Sequence, residues 1–232
     1  MITTAPYTHC MCWICGRPAD SSEHMVKASD VRQVFGHITQ YSPIFRHSSD
    51  QPNLAVPGIR SENLRFSRSI CAHCNNSRTQ SHDKAWEIMS RGIRELDPPL
   101  YPGAIIPIDC FFPGNAEAQV RNIHLFFTKL FGCTAVEHGA PLPVTEFAQS
   151  IVKGEPHPNI RLIFVHIPPG SSRYAIHVGP IQLENKSGRT AAHWYYSVGT
   201  VGVFLSYAER LEERMTRDVG WHPDDGALIR MA

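Results

Sequence analysis

The chain has 232 residues, enough to bury at least one proper core and to form one or two domains. Its composition, 42% hydrophobic and 19% charged, is that of a globular protein. A formal net charge of +1 excludes a uniformly basic nucleic-acid coat, so any nucleic-acid contact must come from a local patch. The first residues lack the charged start and apolar run of an export signal, and no apolar run approaches the roughly 20 residues of a membrane span. A cytoplasmic protein without membrane contact is expected.

In chain order, the first feature is a cysteine knuckle, Cys12-Trp13-Ile14-Cys15, followed by Gly16. Glu23-His24 comes soon after it, and residues 25–35 suit a short helix. Residues 40–59 contain Pro43, Pro52, Pro57 and several serines, and read as a loop-rich insertion near a substrate. Asn63-Leu64 follows, with Arg60, Arg65 and Arg68 around it as a basic group able to track a phosphate backbone. The second knuckle is Cys71-Ala72-His73-Cys74, with Asn75-Asn76 directly after it. Residues 79–96 carry Ala85, Ile88, Met89, Ile93 and Leu96 at steps of three and four, the apolar stripe of an amphipathic helix.

The stretch 97–103 is rich in Pro and Gly and reads as a break. Beyond it, 116–131 and 145–153 read as helices. Segments 160–167, 174–178 and 193–205 read as strands, the last broken near Gly199, and 208–218 as a charged helix. The expected class is α+β, with a zinc-stapled domain over 1–98 and a mixed α+β domain over 103–232. The second half is expected to select a target, bind a partner or make an oligomer. Its scattered histidines show no ligand spacing.

In a reducing compartment, closely paired cysteines point to metal, and a total of seven fits four ligands plus spares. A C-x-x-C turn aims two thiolates at one ion. Two such turns complete a tetrahedral zinc site from Cys12, Cys15, Cys71 and Cys74. A redox role explains one pair but not two. Cys10 offers an alternative to Cys12, and His9 or His73 could also ligate, although His73 is expected to face solvent.

The succession Cys12, Cys15, Glu23, His24, Asn63, Leu64, Cys71, Cys74, Asn75 resembles the HNH, or ββα-metal, nuclease family over about residues 10–86. The resemblance implies an endonuclease that hydrolyses phosphodiester bonds, with DNA favoured and RNA open. It implies His24 as the general base for the attacking water, and Glu23 and Asn75 as ligands of a catalytic Mg²⁺ or Mn²⁺. Asn63 would orient the His24 loop, and the zinc would be structural only. Arg78 and His82, three and seven positions after Asn75, become candidates for holding the phosphate and assisting the leaving group. The sequence has Glu where the family commonly has Asp, Asn where it commonly has His, and no proline shortly after His24. The competing reading is a zinc module that binds nucleic acid or a protein without cutting.

Overall fold

A computed structural model describes residues 10–48, 51–67, 69–96, 100–168, 175–186, 189–209 and 220–232. Arg68, part of the expected break and most of the expected last helix lie outside these residues. The fold is α+β.

Helix α1 spans Ala28–Phe35 and helix α2 spans Gln80–Arg94, both within the expected stretches. On α2, Ala85, Met89 and Ile93 are buried as their spacing requires. Ile88 instead stays 38% exposed, and Trp86 enters the core. The insertion at 40–59 holds more than loop. Ile44–Arg46 (β1) and Leu54–Val56 (β2) pair as an antiparallel hairpin. Strands of three residues offer too few alternations for a period-two pattern to stand out between prolines.

Beyond the break, Ile105–Pro107 (β3) pairs with the late strand Leu228–Arg230 (β9). Helix α3 covers Ala116–Glu137, and α4 covers Val144–Lys153. The antiparallel sheet is built from Ile160–His166 (β4), Ile176–Val178 (β5), Gln182–Lys186 (β6), Arg189–Val198 (β7) and Val201–Ala208 (β8). Its order is β4-β8-β7-β5, with β6 also paired to β7. β7 turns into β8 through Gly199, whose φ of 56° suits glycine at a two-residue hairpin.

Every residue of α3 from Ile123 to Val136 is buried, because the helix lies between α2 and the sheet. Trp86 of α2 stacks on Phe126 at 5.7 Å. On the sheet side, Phe127 meets Phe164 and Phe131 meets Trp194. The hydrophobic core thus runs from Cys12 to Met231, across the expected boundary near residue 100. Gly132 sits where the first knuckle docks on α3. A Cβ there would lie 2.4 Å from the Trp13 ring. Asp30 of α1 ties these layers through hydrogen bonds from Trp86, Ser90, Arg94 and the Tyr196 hydroxyl.

A second polar group lies in the other end of the core. His124 donates from Nε2 to the Ile160 carbonyl at 3.1 Å and meets the His222 ring edge-on at 5.1 Å. Burial pushes His124 down to about 3 and His157 down to about 4, and also lowers His222. Because the folded values lie below the ordinary histidine value, their stabilising effect is complete above about pH 6.5 and is lost as pH falls toward 4. Melting is expected to be flat from pH 8 to 6.5. Over the next two pH units His124 and His157 should each cost about 2–3 kcal/mol. A melting temperature unchanged down to pH 4.5, before most carboxylates titrate, would contradict this.

Candidate metal centre and the His24 segment

The two knuckles meet in space. The Sγ atoms of Cys12, Cys15, Cys71 and Cys74 all lie within 4.8 Å of one another. Cys15 and Cys71 are 3.6 Å apart at sulfur, close to the roughly 3.8 Å edge of a tetrahedron with about 2.3 Å zinc–sulfur bonds. The local folding follows from the turns. Gly16, with φ 70°, closes the first knuckle by donating its N–H to the Cys12 carbonyl. In the second, the Cys74 amide donates to the Cys71 sulfur at 3.4 Å. Burial opposes ionisation of Cys15, but the Arg17 backbone and the facing thiols bring it down to about 7. The four thiols fit a zinc ion in number, spacing and chemistry. Cys10 is exposed and His73 is exposed, so Cys12 completes the set and His73 faces solvent as expected.

From the first knuckle the chain runs back along the residues that precede the second. Trp13 donates to Ser69, Ser21 to Ile70, and Met25 to Leu64, while Phe66 donates to Glu23. His24 pairs with Arg65 in the same antiparallel alignment. Two extended segments followed by α2 therefore surround the cysteine cluster. Between cluster and helix, Cys74–Arg78 forms a π-helical turn, with the Thr79 amide donating to the Cys74 carbonyl. The expected placing of Arg78 and His82 relative to Asn75 assumed regular α spacing, and the wider turn breaks it. Thr79 is buried and donates to the backbone, and Arg78 reaches back to the Cys74 sulfur at 3.6 Å.

His24 is half-buried. The Ile59 backbone supports its ring, and Nε2 has no hydrogen-bond partner among the described residues. Burial lowers the pKa, as do Arg65, Lys27 and Lys129, so the imidazole is neutral near pH 7. Nε2 is also shielded from solvent.

Glu23 is placed otherwise than a ready metal ligand. Its Oε2 accepts a 3.0 Å hydrogen bond from Lys129 Nζ of α3. The same ammonium donates to Asp83 Oδ1 at 2.7 Å and to Thr79 Oγ1 at 3.3 Å. Lys27 adds a 3.7 Å contact to Asp83 Oδ2. Burial alone would discharge Lys129, but the carboxylates of Glu23 and Asp83 outweigh it and raise its pKa above the ordinary lysine range. Asn75 spends its amide on Ser21 Oγ and the Ser22 carbonyl. Among the described residues, the four cysteines are the only group of three or more His, Cys, Asp or Glu spaced to hold an ion.

Asn63 directs its described hydrogen bonds to the hairpin rather than to His24. Its amide donates to the Ala55 carbonyl of β2, and its own carbonyl accepts from Arg46. His82 is buried, with Nδ1 unpartnered among the described residues and its pKa pushed down by burial to about 4. Arg60 is exposed, whereas Arg65 points back to the Ser22 carbonyl. Lys129 and Asp30 were not among the residues that the sequence singles out, and Asp83 was only a weaker candidate beside His82. The only signal was a lysine inside the apolar run of α3, where a charge has to find a partner. No protein-family model matches the chain, and neither a curated protein nor a solved structure matches it.

Proposed function

We propose that the chain is a zinc-stapled endonuclease of the HNH type, hydrolysing phosphodiester bonds in DNA, with RNA as a second possible substrate. The observation that carries this reading is His24. Burial keeps it neutral near pH 7, its Nε2 has no hydrogen-bond partner among the described residues, and it stands on the extended segment that the cysteine cluster holds against residues 64–70. In the proposed reaction His24 takes a proton as water oxygen bonds to phosphorus and the P–O bond to the leaving sugar oxygen breaks. That oxygen leaves with a proton from solvent.

The reading includes a divalent cation, Mg²⁺ or Mn²⁺, whose chemistry is to stabilise charge on the phosphate and leaving oxygen. The residues assigned to it, Glu23 and Asn75, do not fit it as they stand, because Glu23 is paired with Lys129. The competing reading, a zinc module that binds nucleic acid or a protein without cutting, is favoured by that same ion pair and by the shielding of Nε2.

Supercoiled plasmid with Mg²⁺ or Mn²⁺ separates the two. The wild type is expected to nick it, and His24→Ala with an intact zinc content to be slower by about 100-fold or more. Equal cleavage by both proteins would remove His24 from the reaction. No cleavage by either, with both folded, would favour the binding module.

A further inference from the structure

We infer that the β1–β2 hairpin is a stacking surface for unpaired nucleic-acid bases. This rests on the nuclease reading and names the form of its substrate. Tyr41, just before β1, is 89% exposed, and Phe45, on β1, is 55% exposed. The residue opposite Phe45 is Ala55, too small to cover a phenyl ring. Two large rings held in water four positions apart contribute little to the core, since their apolar area stays hydrated.

The sequence around them is basic, with Arg46 next to Phe45 on β1 and Arg60 exposed a few residues after β2. Residues 31–70 hold five arginines against Asp50 and Glu62, an excess of three positive charges in a chain whose net charge is +1. Exposed aromatic rings on an arginine-rich stretch match the chemistry of a single strand, with rings for the bases and guanidinium groups for the phosphates. Bases in a duplex are already stacked on one another and offer no free face. A purely apolar protein partner would meet the same rings but would gain nothing from the charge.

The hairpin is also tied to the candidate centre. Ala55 of β2 accepts from the Asn63 amide at 3.0 Å, and Arg46 of β1 donates to the Asn63 carbonyl at 2.9 Å. The next residue, Leu64, accepts from Met25, and Arg65 is aligned with His24. A strand stacked on the hairpin is thereby held close to the His24 segment.

The test is binding of the full chain, zinc retained and no other divalent cation added, by fluorescence anisotropy. Three labelled probes of about 20 nucleotides are compared: a single strand, the same backbone made abasic, and a duplex. The single strand is expected to bind about tenfold or more tightly than either of the others. Tyr41→Ala/Phe45→Ala should lose that advantage while keeping the affinity for the abasic backbone, and Tyr41→Phe should retain it. Both sites are exposed, and an unchanged melting temperature checks that the variants fold. Equal affinity for all probes, unchanged binding by the double variant, or no binding to any probe overturns the inference. Capture of a protein instead of a strand does the same. The two readings fail separately. Stacking lost in the double variant without His24-dependent cleavage leaves the surface and removes the hydrolysis. His24-dependent cleavage with unchanged binding by the double variant does the reverse.

Discussion

Cys71→Ser is expected to yield a chain that holds no stoichiometric zinc and does not fold. Cys71 lies 3.6 Å from Cys15 at sulfur, and the pair bridges 56 positions of sequence. The strands between the knuckles are short, and much of the 21–25 and 64–70 pairing consists of isolated bridges, so few backbone bonds hold it without the ion. Structural zinc binds thiolate sites with about 10–16 kcal/mol, against a total folding stability of about 5–15 kcal/mol. Loss of one thiolate therefore removes a large part of the whole stability. The consequences reach past the cluster, because Trp13 between Cys12 and Cys15 packs on α3 at Gly132. Elemental analysis of the wild type should give one zinc per chain, and far-ultraviolet circular dichroism of the variant should show the loss of structure. A variant without zinc that melts as the wild type does would mean that the hydrophobic core suffices and the ion is incidental.

Lys129→Met should cost about 3–5 kcal/mol in urea denaturation, because it leaves Glu23 and Asp83 as buried carboxylates without their shared cation. Lys129 is fully buried, and its contacts at 2.7 and 3.0 Å join α3 to α2 and to the His24 segment. Lys27, 3.7 Å from Asp83 and partly exposed, can compensate only in part. Neutralising all three together, Lys129→Met with Glu23→Gln and Asp83→Asn, should recover much of the loss, since a buried ion pair is worth little against a neutral replacement of similar volume. A loss below about 1 kcal/mol for Lys129→Met alone would show that the carboxylates take up protons or water at little cost. Because Glu23 adjoins His24, the single variant is also expected to loosen the candidate base.

What the sequence determined by itself is the part carried by short spacing and strong periodicity. Two C-x-x-C turns constrain sulfur positions so tightly that Cys12, Cys15, Cys71 and Cys74 could be grouped before any tertiary contact was known. The stripe of α2 was legible for the same reason, since the helical repeat acts over a few residues. The partners of single polar groups were decided only in the tertiary structure. Glu23 and Lys129 are 106 positions apart, and Asp30 and Tyr196 are 166 apart. Nothing in local pattern couples residues at such distances. A carboxylate beside a histidine is equally suited to a metal or an ammonium until folding chooses which charge lies beside it. The packing of α3 between α2 and the sheet made that choice, because a lysine brought into a low-dielectric interior must be met by carboxylates.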